Sequence, residues 1–348
     1  MTDDRSRREA PAYYTYYTTL RCNLNCAMCY QRDQRRQVTQ ELSLQEAVAM
    51  FDRVTNLERV NLIGGEVFVR RDALDLMEYL DAREVITYVT TNGALLDADK
   101  IERLLALRYL LGVTVSLDAL ENSRPATRGH KSDPDSIMDV IRRLARGTEV
   151  RVNSVLLAEN IGTVETFETL IQTIAKAGVV LLKVQLQIAH SPWVIERTED
   201  YVRSWMGGPV SCLYPRETRI WDAARLQSAI RHIRQAAAKH NLPVLIFPPE
   251  LTQHLQAYAT ETLWSHYRLQ CEGAKRIPRM KLLPNGDAIF CEGLDIRLGN
   301  LREQTPDEIW TSPLLKAFYE NFERVGGLPI CGRCCRVIVG PRRAAPMR

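Results

Sequence analysis

Residues 22–29 read CNLNCAMC, with Cys22, Cys26 and Cys29 in C-x-x-x-C-x-x-C spacing between Arg21 and Tyr30. Three thiols this close together read as metal ligands. Iron–sulfur clusters are normally held by four cysteines, so a loop of three leaves one iron of a 4Fe–4S cluster without a protein ligand and open to a small molecule. A zinc half-site and part of a disulfide framework are the alternatives on this stretch alone.

Working outward, Tyr13 to Arg21 is a β-rich run that delivers the cysteine loop at its end, and a polar stretch, QRDQRRQVTQE, follows the loop. LSLQEAVAMFDRV then has helical periodicity, with Ser43 as N-cap and Glu46 three residues on. Further strands are expected over 59–63, 85–91, 111–117, 150–157 and 179–187. Helices are expected over 73–82, 101–108, 135–145 and 163–177. Six strands alternating with helices predict parallel β–α units, with the chemistry at the C-terminal ends of the strands.

Polar motifs fall at those ends. Gly64-Gly65-Glu66 follows the second strand, where glycines let backbone approach closely; alone it is an ordinary turn. Thr90-Thr91-Asn92-Gly93 follows the third and is also a common turn. The fourth ends in Ser116 and Asp118, either site residues or caps of the next helix. Arg128-Gly129 comes ten residues later, with Arg128 free to pair with a carboxylate or to lie on the surface. Arg151 and Asn153 alternate with apolar neighbours in the fifth strand, a pattern that points both inward, where polar groups need partners. Gln185, Gln187 and His190 close the sixth strand as substrate-side candidates.

The cysteine loop and these strand ends together resemble the radical S-adenosylmethionine (SAM) superfamily. The resemblance covers about residues 13–190 and implies a partial, six-unit parallel β/α barrel. It implies that the open iron chelates SAM and that an electron from the cluster cleaves SAM to methionine and a 5′-deoxyadenosyl radical. It places Met28 near the adenine, Gly64, Gly65 and Glu66 at the SAM amino group, and Tyr30, Asn92, Ser116, Asp118, Arg128 and Asn153 among the cofactor-binding residues. At the position after GGE, where the family usually has Pro, this chain has Val67.

Beyond the sixth strand, residues 191–220, with Trp193, Trp205, Gly207-Gly208 and Cys212, read as an irregular stretch whose aromatics either shield a radical from water or simply pack. Trp221 to His240 is an amphipathic helix, LPVLIF (242–247) a short strand and Thr252 to Tyr267 helical, together a bridge to a C-terminal module. There Cys271, Cys291, Cys331, Cys334 and Cys335 cluster around a Pro284-Asn285-Gly286-Asp287 hairpin turn and a short helix capped by Thr305 with Pro306 first. This module resembles the SPASM or twitch auxiliary-cluster extension. The resemblance implies one auxiliary 4Fe–4S cluster on Cys271, Cys291, Cys331 and Cys334, with Cys335 able to replace one of the last two. Only thirteen residues follow Cys335, too few for a second auxiliary cluster. A four-thiolate zinc site is the rival.

The domain reading is a tail over 1–12, the radical SAM core over 13–215, a helical bridge over 216–270 and a small α+β cluster-binding domain over 271–348. The chain has 348 residues, 45% apolar and 25% charged, with a net charge of +4. That charge is too mild to argue for nucleic acid. No apolar run reaches the roughly 18 residues of a membrane span, and the N-terminus lacks a secretory h-region, so a cytoplasmic protein is expected. Its nine cysteines are then ligands or reactive thiols rather than disulfides.

The reaction expected is hydrogen abstraction from a peptide or other natural product, followed by a net oxidation assisted by the auxiliary cluster, with a flavodoxin or ferredoxin as reductant. Epimerisation is the alternative, with Cys212 as hydrogen donor or else as a buried structural thiol. About 21 residues precede Cys22, leaving no room for a winged-helix leader-peptide binder. That favours a small molecule unless a separate protein supplies the binder. A non-enzymatic iron–sulfur or zinc module is the remaining alternative.

Overall fold

The structure is a computed structural model that describes residues 10–32, 40–120, 128, 133–157, 164–217, 221–248, 253–272, 279–345 and 347, the side chains of 164–166 excepted. Most of the N-terminal tail, most of the polar stretch after the cysteine loop, Gly129, Thr163 and Thr252 lie outside the described residues.

Six parallel strands stand side by side in chain order: β1 (Tyr13–Tyr17), β2 (Arg59–Ile63), β3 (Ile86–Thr91), β4 (Leu110–Ser116), β5 (Glu149–Leu156) and β6 (Leu181–Leu186). Between them run α1 (Leu44–Asp52), α2 (Ala73–Ala82), α3 (Ala98–Ala106), α4 (Pro134–Leu144) and α5 (Val164–Lys176). The expected α/β class holds. Local chemistry sets the helix starts. Ser43 and Glu46 form a reciprocal capping box on α1, Asp97 caps α3, and Asp133 caps α4 ahead of Pro134. Each satisfies N–H groups that a helix start leaves without partners. Buried and half-buried residues alternate along β3, β5 and β6. The buried set packs with Phe51, Met77, Leu104, Ile141 and Leu170 from the helices in one continuous core. On the half-buried rows of β3 and β5, Arg151 lies 4.9 Å from the Tyr88 ring centre and pairs with Glu149 at 2.7 Å.

Three features depart from the sequence reading. Residues 191–206 are not irregular: α6 spans Pro192–Met206. Proline at its first turn and Gly207 in the left-handed region at its end are a helix's own punctuation, and Val194, Ile195, Thr198 and Val202 form its buried stripe. The bridge strand, β7 (Val244–Phe247), pairs in parallel with β6 and so extends the barrel sheet; it follows α7 (Ala223–Lys239). Third, the C-terminal hairpin is hydrogen-bonded to the barrel. β9 (Met280–Leu282) pairs in parallel with β1, then β10 (Asp287–Ile289) and β11 (Arg297–Asn300) continue antiparallel, giving a ten-stranded sheet ordered β11-β10-β9-β1-β2-β3-β4-β5-β6-β7. The turn between β9 and β10 needs Gly286, whose φ is +88°. A separate two-stranded sheet joins β8 (Tyr267–Cys271) to β12 (Val337–Arg342). Among the described residues no helix is long and apolar enough to cross a membrane.

Candidate active site

The cysteine loop leaves the C-terminal end of β1 and is held by the turn that leaves β2. Gly65 N donates to Thr19 O at 2.9 Å, and Glu66 N to Arg21 O at 2.9 Å. A Cβ on Gly64 would stand 2.3 Å from Thr19 O, and one on Gly65 2.2 Å from Arg21 O. Both obstacles are backbone, so this crossing of two chains requires the glycines. The Glu66 carboxylate, 1% exposed, faces β3. It accepts from Thr91 Oγ1 at 2.7 Å, Asn92 N at 2.6 Å and Phe68 N at 3.2 Å. Burial pushes its pKa up, and these bonds act against that rise. Glu66 therefore locks the ends of β2 and β3 together.

From β3, the Asn92 amide donates to Asn23 Oδ1 at 2.9 Å and lies 3.9 Å from Cys22 Sγ. Asn23 escaped the sequence reading; its position directly after the first cysteine was the available signal. Asp118 and Arg128 form an ion pair, Nε lying 2.8 Å from Oδ2 and Nη2 donating to Oδ1 at 3.0 Å, and Val155 N also donates to Oδ1 at 2.8 Å. Burial pushes the Cys26 thiol up to about 11, and Arg128 is the leading opposing charge. Met28 packs with Leu24, Cys26 and Leu157. Ser116 stands opposite Asn153 in the β4–β5 register. The structure thus gathers most of the expected SAM-side residues around the loop.

The second thiol set is assembled from distant segments. Cys271 ends β8, Cys291 follows β10, Cys331 lies in a 3-10 turn over Pro329–Arg333, and Cys334 and Cys335 follow. Burial drives the Cys331 thiol well above its ordinary value, and the charges of Cys334, Cys291 and Cys271 all bear on it. The adjacent Cys334 and Cys335 thiols act on each other, the first being pushed up and the second down. Backbone N–H groups of Gly293 and Arg336 donate to Cys291 Sγ at 3.3 Å and Cys334 Sγ at 3.4 Å.

Among the described residues no three His, Cys, Asp or Glu side chains converge on a single-ion site. Sets of cysteine thiols are the donor chemistry that iron–sulfur clusters use. Thiols that burial raises, such as Cys26, Cys291 and Cys331, are protonated unless a positive centre binds them, and an iron–sulfur core supplies one. The Arg279 Nε and Arg336 Nη1 donors near the second set are buried without a hydrogen-bond partner among the described residues, consistent with acceptors on such a group.

Between the two sets, Tyr30 packs on Tyr214 and Tyr214 on His190. His190 Nδ1 is 3.1 Å from Glu261 Oε1, and Arg333, inside the C-x-x-C run, lies 3.4 Å from the same oxygen and donates to Ala189 O at 3.0 Å. Gln187 Nε2 donates to Glu217 Oε2 at 3.0 Å. Cys212 is buried in the core, bridged antiparallel to Leu294, with its N–H donating to Glu199 at 2.8 Å and its thiol pushed up to about 11 by burial.

Comparison with known proteins adds to this geometry. The radical SAM superfamily model matches residues 16–171, taking in the cysteine loop. The SPASM iron–sulfur cluster-binding domain model matches residues 275–335, taking in Cys291, Cys331, Cys334 and Cys335 and beginning just after Cys271. A probable GTP 3′,8-cyclase of Methanopyrus kandleri is 35% identical over 162 residues, 45% of this chain and 50% of that protein. The mycofactocin maturase MftC of Mycolicibacterium smegmatis is 29% identical over 167 residues, 47% of this chain and 42% of that protein. The matches thus span half or less of these relatives' lengths. In structure, Streptococcus suis SuiB bound to its precursor peptide SuiA superposes over 94% of this chain and 71% of SuiB, with a TM-score of 0.66 at 15% identity. SuiB bound to S-adenosylmethionine gives a TM-score of 0.64 at 16% identity, over 94% of this chain and 72% of SuiB.

Proposed function

This chain belongs to the radical SAM superfamily and carries a C-terminal SPASM domain, and on that premise we propose an oxidoreductase that takes hydrogen from a C–H bond of a peptide or other natural product in a net oxidation, either a dehydrogenation or a crosslink. Its cofactors are S-adenosylmethionine and 4Fe–4S clusters, one of them auxiliary. Bound at the cysteine loop, the first cluster and SAM together supply a 5′-deoxyadenosyl radical.

The chain's own residues have distinct parts in this reading. Cys22, Cys26 and Cys29 hold the SAM-binding cluster. Cys271, Cys291, Cys331 and Cys334 hold the auxiliary one, with Cys335 able to substitute for either of the last two. Asn92, through Asn23, orients the loop beside Cys22. Asp118 fixes the Arg128 guanidinium near Cys26. Met28 and the neighbouring apolar side chains keep water from the loop, while Ser116 and Asn153 offer polar contacts at the strand ends.

The observation that carries the reading is the pair of thiol sets in one chain, three at a strand end and a separate larger set, linked through the Tyr30–Tyr214 contact. A peptide substrate is favoured because MftC is named a maturase and SuiB was solved with its precursor peptide. Electrons come from a flavodoxin or ferredoxin.

Epimerisation draws on one observation. Burial keeps the Cys212 thiol protonated, and a hydrogen donor must be. Its seat in the apolar core against Leu294 favours the structural role instead. The test is a reconstituted, reduced sample given SAM and candidate peptides. A product lighter by one hydrogen molecule, formed with 5′-deoxyadenosine, supports oxidation. A mass unchanged in H2O but raised by one deuterium in D2O supports epimerisation.

A further inference from the structure

Three cations stand together beside Cys271 of the auxiliary thiol set. Lys281 on β9 is 6% exposed and pairs with Glu292 at 2.8 Å. Arg336 follows Cys335 directly, and its charge is coupled to Glu292, Cys335, Cys271 and Cys334. Arg279 lies 5.0 Å from the Tyr13 ring centre; burial and the like charge of Arg336 hold it below the usual arginine range. Both arginines and Lys281 line one narrow cavity with Cys271.

Glu292 bears on all three of these cations, and Glu272 bears on Arg279 as well. Bringing like charges together inside a protein is costly unless an anion joins them. The buried Arg279 Nε and Arg336 Nη1, donors with no hydrogen-bond partner among the described residues, fit an anionic, sulfur-rich guest. The cysteine loop is built differently. There one cation, Arg128, faces one carboxylate, Asp118, in an ion pair at 2.8 Å with a hydrogen bond from Nη2 to Oδ1 at 3.0 Å.

This contrast has an electrochemical consequence. Adding an electron to a cluster adds negative charge, which nearby positive charge and N–H donors to sulfur stabilise. We propose that Arg279, Lys281 and Arg336 raise the reduction potential of the auxiliary cluster above that of the loop cluster, which makes the auxiliary site the electron acceptor of the reaction. The proposal rests on the oxidative reading above and gives it a residue-level basis. The balance is simple. One hydrogen atom passes from substrate to the 5′-deoxyadenosyl radical, and the substrate radical then loses one electron to the auxiliary site and one proton to water. The stored electron leaves to oxidised flavodoxin or ferredoxin between turnovers.

The test is a redox titration followed by electron paramagnetic resonance, first on the reconstituted wild-type protein. The auxiliary midpoint is expected above that of the loop cluster; a value at or below it overturns the proposal whatever any variant does. The C22A/C26A/C29A protein then isolates the auxiliary signal. In it, Arg336→Gln and Arg279→Gln are each expected to make electron acceptance at least tenfold less favourable, a fall of about 59 mV for one electron. Arg336→Lys, which keeps the charge, should restore most of the shift. Unchanged midpoints in iron-replete Gln variants contradict the assignment; if one variant loses its cluster, the other and the wild-type order still decide. A raised wild-type midpoint with a product that is epimerised rather than oxidised would sink the oxidative reading while leaving the electrostatic one standing.

Discussion

Tyr30 and Tyr214 meet edge to face, with ring centres 6.3 Å apart and planes at 70°. Tyr30 directly follows Cys29. Tyr214 lies against Gly293, two residues beyond Cys291, and its ring centre is 5.6 Å from that of His190. One aromatic contact therefore joins the cysteine loop, the auxiliary thiol set and the end of β6.

Gly293→Ala tests that junction. The new Cβ would stand 2.4 Å from the Tyr214 ring, so the ring or the strand must shift, at about 1–3 kcal/mol. A lower melting temperature and less iron at the auxiliary site are expected. Wild-type values for both would mean that Tyr214 yields freely.

Gly65→Ala should be worse, because its obstacle is the Arg21 carbonyl at 2.2 Å and backbone yields less readily than a ring. The expected result is a cost at or above the top of that same range and loss of iron from the cysteine loop. Normal loading would contradict the close crossing described above.

Glu66→Gln separates a lock from a ligand. The carboxylate accepts three protein hydrogen bonds, and an amide nitrogen turned toward Asn92 N or Phe68 N would clash donor with donor. A loss of about 1.5–3 kcal/mol is expected in thermal unfolding without SAM present. If stability is unchanged and only SAM affinity falls, Glu66 is a ligand rather than a lock.

The His190–Glu261–Arg333 cluster fixes a pH dependence. Burial, the largest effect, holds the His190 imidazole below its ordinary pKa despite Glu261. For Glu261, burial pushes up, but His190, Arg333 and Ser191 N together hold it below the usual range. Both groups bind fewer protons folded than unfolded. Their stability is therefore fully present above about pH 6.5 and is lost as pH falls, through the imidazole range and then the carboxylate range. Melting temperature should drop between about pH 7 and 5, and His190→Gln should flatten the upper part of that drop. An equally steep profile in the variant would remove His190 from the account.

Cys212→Ala should leave the product unchanged and lower stability by about 1 kcal/mol, as expected for a small buried side chain removed from a core. Continued 5′-deoxyadenosine formation without product would instead make Cys212 the hydrogen donor.

Much of this was legible in the sequence for local reasons. The caps at Ser43 and Thr305, the alternating strands and the cysteine spacings are short-range patterns, and the structure carries them over. The misreadings arose where long-range contacts decide. Residues 192–206 form a helix whose buried stripe packs partly on Ile330, which donates its N–H to Thr198 from 132 positions away. β7 and β9 became sheet members because β6 and β1 had free edges. The roles of Glu66 and Asp118 as internal clamps depend on Thr91, Asn92 and Arg128, partners that spacing alone does not reveal.

The central claim is radical chemistry at a three-thiolate loop alongside a second cluster. The most direct measurement is made on anaerobically reconstituted, reduced protein given SAM alone, counting iron and sulfide and looking for 5′-deoxyadenosine by mass spectrometry. About eight irons per chain, as two 4Fe–4S clusters require, together with 5′-deoxyadenosine, is the expected result. Bound zinc, or about four irons with no 5′-deoxyadenosine, would contradict the account.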